Sequence, residues 1–484
     1  MSGEQDSSGN VYLLASLSKA FIMSQDNFSS LSLRPELLEN LATLHYLKMT
    51  PIQAQSLPHI LAGKDVIAQG KTGSGKTAAF GLGLLERLEV KRFRVQSLVL
   101  CPTRELADQV AKELRRLARG IHNIKILTLC GGTPFGPQIG SLEHGAHIVV
   151  GTPGRIEEHL RKGTLVLDHL NVFVLDEADR MLDMGFQETL DAIIAFMPGK
   201  RQTLLFSATF PDEIQAIATR IMHQPEMVKV AATHDKASIE QRFYKLSDDG
   251  QRMTALRLLL LENCPESALV FCNTKRETQE VADQLVGFGF SALALHGDLE
   301  QKARDQILVR FSNKSASILV ATDVASRGLD IDALDAVINY HLSRETEVHV
   351  HRIGRTGRAG EQGIACTLFT EAESYKLAML EDYLQQEIHA EALPQIKLLE
   401  NTPYQPSMMT LRIDGGKKQK VRAGDILGAL TGQGGIAGQQ VGKITLADNW
   451  AYVAVQRDVA SVALKKLEEG KMKGRSFRAR IVRG

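Results

Sequence analysis

The sequence predicts an α/β protein of two tandem parallel-sheet domains followed by a small α+β domain, and three observations carry that reading. A glycine-rich phosphate-binding loop lies between a short strand and a helix. Apolar runs of strand length then alternate with helical stretches in two successive series. The last 80 residues change to short strands, glycines and basic charge. A chain of 484 residues exceeds a single core, and about 150 residues per domain gives roughly three domains. The expected layout is a flexible leader over 1–25, domains over 26–230 and 231–390, a linker over 391–404 and a terminal domain over 405–484.

After the leader, in which Met23 is a second candidate start, Pro35 to Leu47 reads as an amphipathic helix. A turn at Thr50-Pro51 and another helix follow. Asp65 to Ala68 is then a strand and Ala78 to Leu88 a helix, and the loop between them contains Gly70-x-x-x-x-Gly75-Lys76-Thr77, the P-loop pattern. In Thr72, Gly73, Ser74 and Gly75 the backbone N–H groups can approach phosphates closely. Lys76 reaches the outer phosphate oxygens and the Thr77 hydroxyl can ligate Mg²⁺. Further strands are expected at Ser97–Cys101, Ile124–Leu129, His147–Val150, Val172–Leu175 and Thr203–Phe206, a rhythm that predicts a parallel sheet wrapped by helices. The second series, after about Ala231, has strands at Ala268–Cys272, Ala292–Leu295, Ile318–Ala321, Ala336–Tyr340 and Ala365–Phe369, and no second P-loop.

At the carboxyl end of the Val172–Leu175 run stands Asp176-Glu177-Ala178-Asp179, the edge at which open α/β sheets bind ligands. Three acids so close are poorly solvated unless they serve a cation. Asp176 is the natural Mg²⁺ partner, and Glu177 can accept a proton from, or orient, the attacking water.

These four residues spell DEAD, and the chain from about Phe28 to Thr370 resembles the DEAD-box RNA helicases. That resemblance implies two RecA-like domains, ATP and Mg²⁺ as nucleotide and metal, and RNA as partner. Phe28, Tyr46 and Gln53 resemble the family's adenine-recognising motif. Pro102-Thr103-Arg104-Glu105-Leu106, Gly131-Gly132 and Thr152-Pro153-Gly154-Arg155 resemble its RNA-contacting motifs. Ser207-Ala208-Thr209 resembles the motif that couples hydrolysis to strand separation, with Asp179 and His351 as its partners. In the second series, Asn273, Gln301 with Arg304, Thr322 and Arg327 fall on the remaining RNA-contacting motifs. Asp330 falls on the position that approaches the ribose, and Arg355 and Arg358 of HRIGRTGR on the arginine fingers. An arginine so placed stabilises transition-state charge. His45 stands where the family commonly has glycine, and Ser326 where it has alanine.

From Gln405 to Gly484 there are 15 Lys and Arg against 6 Asp and Glu, which leaves 42 against 50 in the rest of the chain. A basic terminal block on an acidic body points to a polyanionic partner. Asn449-Trp450-Ala-Tyr452-Val-Ala-Val455 resembles the central strand of an RNA-recognition fold. Trp450 and Tyr452, two apart, share one strand face. Exposed, they stack bases; buried, they are core. The partner strand Thr410-Leu411-Arg412-Ile413 lacks the aromatic of a standard stacking platform, so Lys417, Lys418, Lys420, Arg422 and the tail with Lys471, Lys473 and Arg475 carry more of the expected RNA grip.

A helicase core with such an appended domain is similar to the bacterial members that act on 23S ribosomal RNA during large-subunit assembly. The alternatives are a helicase of another RNA pathway, such as mRNA decay or cold adaptation, and an ATP-gated RNA clamp without turnover. The five cysteines show no CxxC spacing and predict buried thiols in a reducing cytosol. The apolar runs are too short to span a bilayer, and acidic Glu4 and Asp6 oppose a signal peptide. The expected location is therefore the cytoplasm, with no membrane and no obligate protein partner evident.

Overall fold

Short apolar runs separated by amphipathic helices leave a strand little choice but to pair in parallel under a helical cover. The computed structural model describes residues 27–70, 73–230, 239–326, 334–357, 362–472 and 474–482. They divide into two compact units, the first ending before residue 234. In the first, the strands are β1 (Val66–Gln69), β2 (Ser97–Leu100), β3 (Ile126–Leu129), β4 (Ile148–Gly151), β5 (Val172–Asp176), β6 (Gln202–Ser207) and β7 (Glu226–Lys229). All pair in parallel in the order β3-β4-β2-β5-β6-β1-β7. Separate apolar clusters fill its two faces, one with Phe80, Val99 and Leu204, the other with Leu98, Phe173 and Leu205.

The helix expected over Pro35–Leu47 ends at Thr43. Tyr46 N–H donates to the Leu41 carbonyl at 3.0 Å and His45 N–H to Ala42 at 3.1 Å, with His45 left-handed at φ 59°. This paired closure favours glycine at the left-handed position, so His45 holds a conformation in which glycine would be unstrained.

In the second unit the strands are β8 (Ile239–Leu246), β9 (Ala268–Cys272), β10 (Ala292–Leu295), β11 (Ile318–Thr322), β12 (Ala336–Asn339), β13 (Gly363–Thr370) and β14 (Ala390–Glu391). They form a second parallel sheet in the order β10-β11-β9-β12-β13-β8-β14. β7, β8 and β14 escape the sequence reading because their charged residues break the apolar pattern. Part of the stretch read as a linker lies on this sheet: β14 pairs with β8, and Leu393, Leu398 and Leu399 pack on its core. Four cysteines are buried, but Cys264 is exposed at the end of the helix Arg252–Asn263.

The same unit ends in a four-stranded antiparallel sheet of β15 (Met408–Ile413), β16 (Val441–Leu446), β17 (Ala451–Gln456) and β18 (Ala479–Ile481), in the order β16-β17-β15-β18. The helices Ala423–Thr431 and Ala460–Glu469 cover one face through Ile426, Leu430, Ala463 and Leu467. Among the described residues no helix is long and apolar enough to cross a membrane.

Candidate nucleotide and RNA sites

Strand order sorts the motifs. β5, β6 and β1 are neighbours, and their carboxyl ends carry Asp176-Glu177, Ser207 and the P-loop. β2, β4 and β3 form the other half of the sheet and lead into Thr103-Arg104, Thr152–Arg155 and Gly131-Gly132. The nucleotide chemistry therefore gathers on one half of the carboxyl edge, and the loops expected to touch RNA on the other.

On the nucleotide half, Gly75 takes φ 93° and Gly73 φ 78°, and a Cβ on Gly75 would meet the Gln53 amide nitrogen at 2.5 Å. Gln53 is buried; its amide donates to the Gly75 carbonyl at 3.0 Å and accepts from Thr50 N–H at 2.9 Å. One N–H and one lone pair of that amide remain for a base edge. Lys76 Nζ donates to the Gly70 carbonyl at 2.8 Å, and the Ser74 hydroxyl oxygen is buried without a partner. Thr77 is half-buried in the first turn of the helix Lys76–Glu86. Two left-handed glycines, an orphaned hydroxyl and a lysine held against the Gly70 carbonyl fit a phosphate chain. Phe28 differs from expectation: at 2% exposure it is core, meeting Tyr46 edge-on at 6.1 Å. It supports the half-buried Tyr46 rather than offering a face of its own. Burial and the adjacent Glu113 carboxylate push the Tyr46 phenol up to about 12.

Burial pushes the Asp176 carboxyl up to about 7 against the opposing charge of Lys76, and Glu177 adds to the rise. A carboxylate so costly to ionise alone fits a position beside a cation. Glu177 is left-handed at φ 53°, a conformation costing a non-glycine residue about 1–3 kcal/mol. Asp179 Oδ2 accepts from Ala208 N–H at 3.2 Å and from the Thr209 N–H and hydroxyl at 3.0 Å each. Its own N–H meets the Ser207 hydroxyl at 3.3 Å, and the Ser207 carbonyl accepts Gly70 N–H at 3.0 Å. Burial would raise the Asp179 carboxyl, but Arg180, the Thr209 N–H, Lys76 and Ser207 hold it below the usual range. P-loop, DEAD and SAT segments thus form one hydrogen-bonded unit.

On the other half, the Thr103 hydroxyl accepts Leu106 N–H at 3.3 Å and caps the helix Arg104–Leu117. Arg104 lies against Gly132, where a Cβ would meet its guanidinium at 1.8 Å. Thr152 precedes the helix Pro153–Arg161, whose second residue, Gly154, has open space around it. Arg155 donates to the Thr133 carbonyl at 3.1 Å.

In the second unit, Asn273 directly follows β9. Gln301 begins the helix Gln301–Ser312 and bonds Asp305 at 2.7 Å, while Arg304 donates to the Ala325 carbonyl at 2.7 Å. The Thr322 hydroxyl accepts Ala325 N–H at 3.3 Å. His351 and Arg355 are half-buried, in and just after the helix Thr346–Ile353. Thr72, Arg327, Asp330, Arg358 and Lys473 lie outside the described residues. Arg352, which sequence reasoning passed over, is the buried arginine of this group: it pairs with both Asp323 oxygens at 2.7 Å. An arginine on the core side of an amphipathic helix was the available signal.

Next to it, His341 Nε2 contacts Glu277 at 2.5 Å and Nδ1 lies 3.8 Å from Glu373, which Arg252 also pairs. Burial would lower the imidazole, but the bonds to Glu277 and Glu373 hold it above the ordinary histidine value. A raised folded value contributes stability that is complete below about pH 6.5 and lost as pH rises through it. The unfolding midpoint of the second unit is therefore expected to fall from pH 6 to pH 8, and His341→Asn to flatten that slope in a pH series of urea titrations.

Of the C-terminal pair, Tyr452 is core at 2% exposure, whereas Trp450 is half-buried just before β17, between Arg412 at 4.9 Å and Lys302 at 5.8 Å. Thr410, on the same sheet face, bonds Asn313 at 2.8 Å and Ser315 at 2.6 Å. That face, read as a possible stacking platform, is covered by the segment after the helix Gln301–Ser312. The basic residues lie elsewhere: Lys418, Lys420, Arg475 and Phe477 line a groove of about 270 Å³, with Lys471 exposed nearby.

Three family models match the chain in order: DEAD/DEAH box helicase over residues 50–217, helicase conserved C-terminal domain over 251–360 and DbpA RNA binding domain over 410–481. The chain is 54% identical to the ATP-dependent RNA helicase DbpA of Escherichia coli over 94% of its length and 99% of that protein. It is 36% identical to DbpA of Bacillus subtilis, over 93% and 98%. Among solved structures, Saccharomyces cerevisiae Dbp5 bound to RNA and ADP BeF3 matches 76% of this chain and 96% of that one, with TM-score 0.68 and 29% identity. The chain belongs to the DEAD-box ATP-dependent RNA helicases, as a member with a DbpA-type RNA-binding domain.

Proposed function

We propose that this helicase remodels structured ribosomal RNA, with 23S rRNA in large-subunit precursors as substrate, and that its C-terminal domain grips that RNA while the core acts nearby. The observation that carries the reading is the groove in which Lys418, Lys420 and Arg475 outnumber the single acid Asp425, on a domain whose sheet face is already covered. Phosphate-rich, folded RNA suits such a groove better than bases splayed on a sheet.

In the core, ATP is the substrate. The loop from Thr72 to Thr77 and Lys76 bind its phosphates, Tyr46 and Gln53 with Phe28 beneath hold the adenine, and Asp330 meets the ribose. Thr77 and Asp176 would hold Mg²⁺, which supplies charge neutralisation at the phosphates. Glu177 takes the proton of the attacking water, and Arg355 and Arg358 balance the developing charge. Asp179 fastens Ser207 and Thr209 to that centre, and His351 has the coupling role that the family resemblance implies. Thr103, Arg104, Gly132, Thr152, Gly154, Arg155, Asn273, Gln301, Arg304, Thr322 and Arg327 contact backbone phosphates and 2′-hydroxyls, which keeps the core sequence-blind. Tyr452 supports the domain from within, the half-buried Trp450 offers an aromatic ring to RNA, and Lys471, Lys473 and Arg475 bind phosphate.

The test is ATPase stimulation by a panel of RNA fragments. One 23S segment is expected to stimulate about 10³-fold more effectively than unrelated RNA of equal length, as specific sites typically exceed non-specific ones. Equal stimulation by every RNA would exclude the rRNA reading.

A further inference from the structure

Two loops of the first unit assigned to RNA, Gly131–Thr133 after β3 and Thr152–Arg155 after β4, are joined by a side chain with no assigned role. Gln138 lies on the helix Phe135–Glu143. Its amide nitrogen donates to the Cys130 carbonyl at 3.0 Å and to the Thr133 hydroxyl oxygen at 2.7 Å. Its oxygen accepts from the Arg155 guanidinium at 2.8 Å and from His159 Nε2 at 2.9 Å. A carbonyl only accepts and a guanidinium only donates, so the amide has one workable orientation, and all four of its hydrogen-bonding positions are filled.

The surroundings stiffen this junction. The Phe135 ring stacks on His159 at 4.2 Å with an interplanar angle of 19°. Arg155 and Lys162 lie over the same ring at 5.4 and 4.1 Å. His159 is buried, and its Nδ1 meets the Thr164 hydroxyl at 2.8 Å. Burial, with Arg155 nearby, pushes the imidazole down to about 4, so at neutral pH it is the uncharged donor that Gln138 requires. Arg155 adds its bond to the Thr133 carbonyl. Arg104 packs on Gly132 from the other side. Two RNA-assigned segments, at the ends of β3 and β4, are thereby linked through one amide, and a third, at the end of β2, packs on them through Arg104.

We propose that Gln138, backed by His159 and Phe135, is a positioning clamp that fixes the Gly132 loop against Arg155, so that the grip of the first unit on RNA depends on it. This rests on the RNA-contacting reading of those loops. The clamp acts through Arg155 and Thr133, and no part of it reaches the nucleotide half of the sheet. A loss of clamping therefore falls on RNA affinity and spares ATP.

The test is steady-state ATPase of the full chain, with RNA and ATP titrated separately, for Gln138→Met, Arg155→Ala and the double variant. Gln138→Met is expected to raise KM for RNA about tenfold, the scale of one charged hydrogen bond lost, with KM for ATP and kcat within about twofold. Because the two residues act as one, the double variant should exceed Arg155→Ala only slightly. If Arg155→Ala leaves KM for RNA unchanged, the RNA-contacting reading fails. If Arg155→Ala raises it and Gln138→Met does not, the clamp alone fails. Equal rises in both KM values for Gln138→Met would mark general damage and overturn the clamp. Should Gln138→Met not fold, Phe135→Leu, which removes the ring and leaves every hydrogen bond, takes its place with the same expected split.

Discussion

Glu177→Gln lowers ATP turnover by about 10²–10⁴-fold, the range for removing a positioned general base, while ATP-dependent RNA binding is retained. Glu177 stands at the carboxyl end of β5, beside Asp176, on the same sheet edge as the P-loop that follows β1, with β6 between the two strands. Its left-handed backbone at φ 53° turns the chain into the helix Ala178–Asp183. Glutamine has the same length and adopts the same backbone, so packing, the phosphate loop and the Asp179 bonds to Ala208 and Thr209 persist. Only the ability to take a proton is lost. Phosphate release at saturating RNA, with RNA anisotropy in ATP as companion, checks both halves; hydrolysis at the unaltered rate would remove Glu177 from the base position.

The parts of the fold and site that were legible share one physical feature: they are local. A P-loop is written in consecutive residues. β9 and β10 run from Ala268 to Cys272 and from Ala292 to Leu295 as read, because both faces of each strand are buried and the sequence is continuously apolar. The same rule could have placed Tyr452. Ala451-Tyr452-Val453-Ala454-Val455 does not alternate with polar residues, and all five are buried, which is the mark of a strand covered on both sides. β8 was missed because Glu240, Gln241, Arg242 and Lys245 interrupt its apolar positions. Long-range polar junctions were hardly legible. Gln138 is an ordinary amide on a short helix, and its partners at Cys130, Arg155 and His159 meet it only after β3 and β4 pair. The left-handed Glu177 likewise follows from tertiary constraint, since glutamate carries no local preference for that region.

Arg352→Ala should destabilise the second unit by about 3 kcal/mol, the lower end of the range for breaking a buried ion pair by removing one partner. The lower end applies because the Asp323 side chain keeps 26% exposure whereas Arg352 keeps 2%. The guanidinium ties together the ends of three strands. Nε and Nη2 pair with Asp323 after β11 at 2.7 Å. Nη1 donates to the Asn339 amide oxygen of β12 at 3.2 Å and to the His341 carbonyl at 3.0 Å. Nη2 also faces Asn273 after β9 at 3.5 Å, and the group lies 5.0 Å from the Phe271 ring. Lysine cannot reproduce a two-pronged pairing, so Arg352→Lys recovers little. The chain has one tryptophan, Trp450, within the same unit, so its fluorescence during urea unfolding follows this unit selectively. A loss below about 1 kcal/mol would place Arg352 among surface pairs and leave the joining of β9, β11 and β12 to their backbone bonds alone. A loss near 3 kcal/mol makes Arg352 the anchor that fixes where Asn273 and Thr322 stand on the same sheet edge.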